Sequence, residues 1–293
     1  MIANENSNST YFFEKNKWKF GRLSFIIYWL IVFLTSIIKS NQIPFPVGIC
    51  SLINFEWLLL PTIKSFFIIL SLLLCLLYLL EYKMAWVCFL LFMISTISFT
   101  IEESNGLYYR NTLLSVIFFV QFISYSTSSK EKNKWINSMQ YSIQVILGAY
   151  TLSAISKLKT AGFYWVINGK RITLQILKSH FQEFSDFGNQ FYLVKGNLLV
   201  NYIEHHPMII YSILTISLLL ELFSLVALFN SKMTFYYGIL LLFMHVGIYL
   251  IMDIAILPII VPMVIFMINP LFISWYISNI KIIPIFNKLY NKM

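Results

Sequence analysis

The chain has 293 residues, of which 59% are hydrophobic and only 11% charged, whereas an ordinary soluble domain is roughly half apolar and a quarter charged. That balance excludes water as its main solvent. A net charge of +9 would point to nucleic acid in a soluble protein, but much of the excess lies in short loops beside apolar runs, where it reads as membrane topology; no nucleic-acid partner is expected.

The apolar runs reach about 18 to 23 residues, enough to cross about 30 Å of hydrocarbon as helices at 1.5 Å per residue. Stretches such as Phe66 to Leu80 and Met208 to Leu228 do not alternate polar and apolar residues as barrel strands do. The expected fold is therefore all-α, a polytopic transmembrane bundle of about eight helices in contact with membrane lipid, with a long extracytoplasmic loop between the fifth and sixth.

Residues 1–22 form a polar, then interfacial, amino-terminal segment, in which Lys15, Lys17, Lys19 and Arg22 precede the apolar run from Leu23 to Ile38. With no small-residue cleavage motif before Lys39, that run reads as a retained first helix rather than a signal peptide. Residues 23–137 hold the first four spans, at 23–38, 62–80, 84–101 and 111–127, with an outer loop or re-entrant stretch from Asn41 to Pro61. Residues 138–275 hold spans at 138–156, 207–229, 234–252 and 254–275, and 276–293 form a basic tail.

Placing the amino end inside gathers Lys83, Lys130, Lys132, Lys134 and Lys232 with the terminal basic residues on the inner side, and leaves only Lys39, Lys64 and Arg110 in short outer loops. Both termini are then cytoplasmic, in a plasma membrane, and the 157–206 loop is outside. Within that loop Ile172, Ile176 and Leu177 recur at helical spacing, which suits a helix lying on the membrane surface.

Ionisable residues at membrane depth are costly and are therefore candidates for function. Lys157 ends the fifth span. It is either a lysine snorkelling to the outer headgroups or a desolvated amine able to act as a base. Lys157 and Asp253 each lie 19 residues from the inner ends of their spans, about 29 Å up, where His205 and His206 also arrive before Pro207. These four form a candidate catalytic cluster, with an ordinary polar rim as the alternative. Glu221 and His245 lie deeper, about 12 and 16 Å from the inner ends, and are expected to pair across adjacent antiparallel helices as a structural or proton-relay pair. Gln121, Gln140 and Gln144 read as interhelical hydrogen bonders. Cys50, Cys75 and Cys88 form no CxxC pair and the two histidines are adjacent, so no metal site is expected. The sequence also lacks a phosphate-binding glycine loop, a G-x-S-x-G elbow, H-E-x-x-H and a Rossmann fingerprint.

Four pieces of the carboxyl-terminal half occur together in order: Tyr150-Thr-Leu-Ser-Ala-Ile-Ser-Lys-Leu158 followed by Trp165 and Gly169, His206-Pro207 opening a helix, Leu220-Glu221-Leu222 within it, and His245-Val-Gly-Ile-Tyr-Leu-Ile-Met252. Over residues 145–270 the chain thereby resembles the HTTM membrane domain family, which includes vitamin K-dependent γ-carboxylase and the maturation proteins of bacterial sporulation-delaying toxins. The resemblance implies that Lys157 is a base at the outer face, coupled to a reduced quinone as cofactor, with a secreted peptide or toxin precursor as partner. The alternatives are a non-catalytic binding, export or immunity partner of a peptide, and a proton-coupled transporter.

Overall fold

In a computed structural model the described residues are 2–39, 48–104, 111–167, 170–252 and 257–278. Among them every regular element is helical. The α-helices are α1 (Ile2–Lys39), α2 (Pro61–Leu79), α3 (Met84–Ser104), α4 (Thr112–Thr127), α5 (Glu131–Ala161), α6 (Tyr164–Ile167), α7 (Lys170–Phe187), α8 (Gln190–His205), α9 (Pro207–Leu222), α10 (Ser231–Met252) and α11 (Leu257–Met263).

Among the described residues five stretches are long and apolar enough to cross a membrane: Phe12–Ile38, Pro61–Leu79, Met84–Glu102, Ser231–Met252 and Leu257–Ser278. A sixth is counted if α8 and α9, which meet at 93°, are one broken span. The chain is thus a helical, multi-pass membrane protein. Helix α4 is apolar but has only 16 residues, about 24 Å of rise. The chain divides into two compact units, residues 1–145 with 261–293, and residues 146–260.

In the first unit Trp18, Arg22, Phe25, Trp29 and Phe33 recur every three or four residues and make one buried stripe along α1. This is why the lysine-rich segment expected to precede the first helix belongs to it instead. Phe118 of α4 packs against both Phe25, at 5.0 Å, and Trp29, at 5.5 Å between ring centroids. Three buried polar contacts in this unit link different helices, which offsets the cost of burying those groups away from water. Trp29 donates from Nε1 to Ser95 Oγ (2.7 Å), Tyr78 donates to Gln121 Oε1 (2.8 Å), and Gln121 donates to Ser142 Oγ (3.3 Å).

The most buried charge of this unit sits at the end of α2. The Arg22 guanidinium donates to the carbonyls of Tyr78 and Leu79, both at 3.1 Å, and pairs with Glu81 at 2.9 Å. Those carbonyls are among the last four of the helix, that of Tyr78 accepting also from the Glu81 N–H at 3.3 Å, and Arg22 adds a cap from a neighbouring helix. Asn269 plays a comparable part near the carboxyl end. It holds a left-handed backbone after the π-helical turn Val264–Ile268, and its side-chain amide donates to the Lys17 carbonyl at 2.7 Å.

In the second unit the segment 157–206, expected as a loop, is helical over most of its length as the end of α5, α6, α7 and α8. Ile176 of α7, Ile203 of α8 and Ile210 of α9 form a buried cluster, with Ile172 packed beside it. Gly196 lets α8 approach α7 closely: a Cβ at this position would lie 3.0 Å from the Cβ and Cδ2 of His180.

Candidate functional site

The site is built on the carboxyl-terminal half of α5. Leu147, Tyr150, Thr151, Ala154 and Lys157 follow one another at intervals of three, one, three and three residues, so they form one face of the helix. That face is a seam of polar contacts to α9, α10 and the 3-10 helix Ser224–Phe229. Ser224 Oγ donates to the Leu147 carbonyl at 2.8 Å and lies 2.8 Å from Thr151 Oγ1. A serine has one hydroxyl hydrogen, so Thr151 is the donor in the second bond. One turn higher, Tyr150 Oη lies 2.7 Å from His245 Nε2 of α10, both residues being buried.

Seven residues beyond Tyr150, two helical turns along the same face, Lys157 meets Glu221. Its ammonium donates to both carboxylate oxygens, at 2.6 Å to Oε1 and 2.5 Å to Oε2. The Trp165 ring of α6 lies against the same ammonium, with its centroid 4.9 Å from Nζ. The Lys157 side chain retains 26% of its exposure and that of Glu221 only 7%, so the pair is largely withdrawn from solvent and the carboxylate more so than the amine.

Expected pairings and observed pairings differ here. Glu221 was expected to meet His245, but it holds Lys157, and His245 holds Tyr150. Measuring depth from residue 229 requires 207–229 to be one straight α-helix. In the structure α9 stops at Leu222, and the chain continues as a 3-10 helix packed on α10, so residue 229 does not mark the level from which Glu221 should be measured. The Lys157 stem also leans toward the amino end of its helix, as side chains on α-helices do, which lowers its amine along α5. Tyr237 Oη donates to the Leu220 carbonyl at 2.7 Å and so satisfies one of the carbonyls orphaned where α9 ends.

Lys157, Trp165, Ser217 and Glu221 stand at one part of a cavity of about 480 Å³ whose remaining lining is almost wholly apolar, from Ile172, Ile210, Leu240, Phe243 and their neighbours. Ile216 and Phe243 are strongly exposed as well as lining the cavity, so its wall is part of the outer surface of α9 and α10. Such a volume lies in the range of small-molecule pockets, roughly 300 to 1,000 Å³.

His205 and His206 are both exposed at the junction of α8 and α9. His205 Nδ1 lies 2.8 Å from the Asn201 carbonyl, and the His206 ring lies 4.8 Å from that of Tyr202. Neither lines the cavity, and the group in contact with Lys157 is Glu221. Asp253 and Gly169 lie outside the described residues. Among the described residues no group of three or more His, Cys, Asp or Glu side chains is placed to hold a metal ion. Tyr150 and Trp165 stand out in the sequence only through the family resemblance. The seven-residue spacing of Tyr150 from Lys157 is a signal that could have marked it as a neighbour; Trp165 reaches Lys157 only through the turn after Ala161, which carries no such signal.

No protein-family model matches the chain, and neither a curated protein nor a solved structure is significantly similar to it.

Proposed function

We propose that this is an HTTM-like integral membrane protein that matures a secreted peptide at the outer face of the plasma membrane, with Lys157 as the base. In this reading eight helices span the bilayer, both termini are cytoplasmic, and α6, α7 and α8 are at the outer face of the membrane. The observation that carries it is the Lys157–Glu221 pair at the edge of an apolar cavity, under Trp165. A lysine that served only to anchor a helix end would extend into the headgroups; this one is turned onto a carboxylate.

Both residues can manage one proton between them. Where the dielectric is low, an ammonium–carboxylate pair is less favoured over its neutral form than it is in water. Transfer of a proton from Nζ to a Glu221 oxygen leaves an amine with a free lone pair and a carboxylic acid that stores the proton. The amine is then able to take a proton from a bound substrate, and the acid to return one. Trp165 shields the pair from water and favours the charged resting state through its ring face.

The reduced quinone implied by the resemblance fits the cavity in volume and in its aliphatic lining. Leu240, Phe243 and Ile210 would hold its apolar part, with Lys157 and Ser217 at its polar end. When bound, its oxidation by molecular oxygen would supply the driving force for removing a weakly acidic proton from the substrate.

A second reading, a non-catalytic binding, export or immunity partner of a peptide, is favoured by the bidentate geometry itself, because a pair that ties α5 to α9 needs no chemistry to be useful. Co-expression of a candidate secreted peptide with wild type, Lys157→Ala and Lys157→Arg, followed by mass spectrometry of the recovered peptide, separates the two. Arginine keeps the charge pair but cannot release its proton. A mass change on the peptide with wild type alone supports the base. An unmodified peptide that co-purifies with all three forms supports the partner.

A further inference from the structure

We infer that the α7–α8 hairpin is a monotopic element seated in one leaflet of the membrane, with the exposed apolar row of α8 among the lipid acyl chains. The inference does not depend on the peptide-maturing reading above.

Geometry sets the orientation. Helix α9 has 16 apolar-rich residues, about 24 Å of rise, and α8 leaves it at 93°. A helix perpendicular to a membrane-crossing neighbour lies along the membrane plane. It therefore cannot complete the crossing that α9 begins, although the two together are long and apolar enough to be counted as one broken span.

The surface of α8 then identifies what covers it. Phe191, Val194, Leu198 and Tyr202 recur every three or four residues and are each more than half exposed. Gly196 and Ile203, on the opposite side, are buried, the first against His180 and the second against Ile176. Polar residues border the exposed row on both edges: Lys195 on one, Asn197 and Asn201 on the other. An apolar stripe between polar margins is the pattern of a helix lying at the boundary between headgroups and acyl chains. Past the exposed Glu204, His205 and His206 at the bend, Met208, Ile209 and Ile213 of α9 are again exposed and apolar. Exposed apolar rows on a crossing helix and on a perpendicular one fit one solvent, the lipid around α9. On the neighbouring helix, Leu174 and Phe181 are likewise exposed.

The seating has a consequence for the cavity, because Ile172 of α7 and Ile210 of α9 line it. A hairpin held in the leaflet puts that end of the cavity at the level of the lipid and gives a membrane-dissolved molecule a route that does not pass through water.

The test is site-directed spin labelling of the full chain in phosphatidylcholine liposomes. Cys75 and Cys88 are buried and Cys50 is half-buried, so a Cys50→Ser chain carries single cysteines at Phe191, Val194, Asn197, Leu198, Asn201 and Tyr202, with Ile209, Ile213 and Ile216 for comparison. All nine positions are outside the buried core, and labelling of Cys50→Ser alone gives the background. The measurement is relaxation by dissolved oxygen against relaxation by a water-soluble nickel chelate. The expected result is oxygen-dominated relaxation at 191, 194, 198 and 202 at one shared depth, chelate-dominated relaxation at 197 and 201, and a depth that changes progressively along 209, 213 and 216. Chelate-dominated relaxation at all six α8 positions would overturn the inference in favour of a water-facing surface. Low relaxation by both agents would do so in favour of a second protein copy. A depth that changes steadily along α8 would make it part of a crossing span.

Discussion

Breaking the Lys157–Glu221 pair one partner at a time should have unequal effects, because the two side chains are unequally buried. Removing one member of a buried ion pair costs about 3–5 kcal/mol, since the survivor is left uncompensated. Lys157→Ala strands a carboxylate that is 7% exposed on a residue too short to reach water, so the lower end of that range, about 3 kcal/mol, applies after allowance for the partly exposed amine. Glu221→Ala strands an ammonium that is already 26% exposed on a flexible four-carbon stem. It can swing outward, and the loss falls to about 1–2 kcal/mol. Replacing both by apolar residues of similar volume, Lys157→Met with Glu221→Leu, removes both desolvation penalties and should lie within about 1 kcal/mol of wild type. The double variant then recovers about 4–5 kcal/mol relative to the sum of the single-variant losses. Reversible unfolding in mixed micelles with increasing sodium dodecyl sulfate measures all four proteins. Single-variant losses that simply add in the double variant would refute the argument, as would a Glu221→Ala loss larger than that of Lys157→Ala.

Arg22→Lys should lower stability by about 2–3 kcal/mol, because a point-like ammonium cannot serve the two α2 carbonyls and Glu81 together; thermal unfolding in detergent reads this, and an unchanged midpoint would contradict the cap. Gly196→Ala should cost about 1–3 kcal/mol by pushing the new methyl into His180, visible as a lowered unfolding midpoint; a neutral result would mean that α7 and α8 can separate freely. Tyr150→Phe should cost about 1–2 kcal/mol by leaving His245 Nε2 without its hydroxyl partner, and the same unfolding assay on Tyr150→Phe/His245→Leu should recover most of that loss.

How far the sequence could be read varied with the kind of evidence each element offered. Where a helix has its own boundary signals the reading was close: α2 begins at Pro61, near the expected 62, and α3 at Met84, as expected. The uninterrupted apolarity of these segments needs no knowledge of their neighbours. The segment 157–206 was harder, because α7 and α8 mix charges with apolar residues and bury only a narrow face, so their hydropathy falls below that of a span. The bend before Pro207 was visible only as a proline at the start of a helix. Pairing of polar groups was least legible. Glu221 and His245 were placed together by counting residues from assumed helix ends, and the count failed at Phe223, where α9 gives way to a 3-10 turn. Relative spacing on one helix carries no such assumption. Tyr150 and Lys157, seven apart on α5, do share a face, and their two separate partners follow from that face meeting α9 and α10 at once.

In the proposed function Lys157 and Glu221 act on a proton rather than merely hold two helices together. The Lys157→Met/Glu221→Leu variant isolates that difference, because it should insert and remain as stable as wild type while lacking both ionisable groups. Mass spectrometry of a secreted peptide recovered from cells producing this variant is the most direct measurement. The account predicts a folded membrane protein and a peptide left at its unmodified mass, where wild type changes it; a peptide modified equally by both proteins would contradict it.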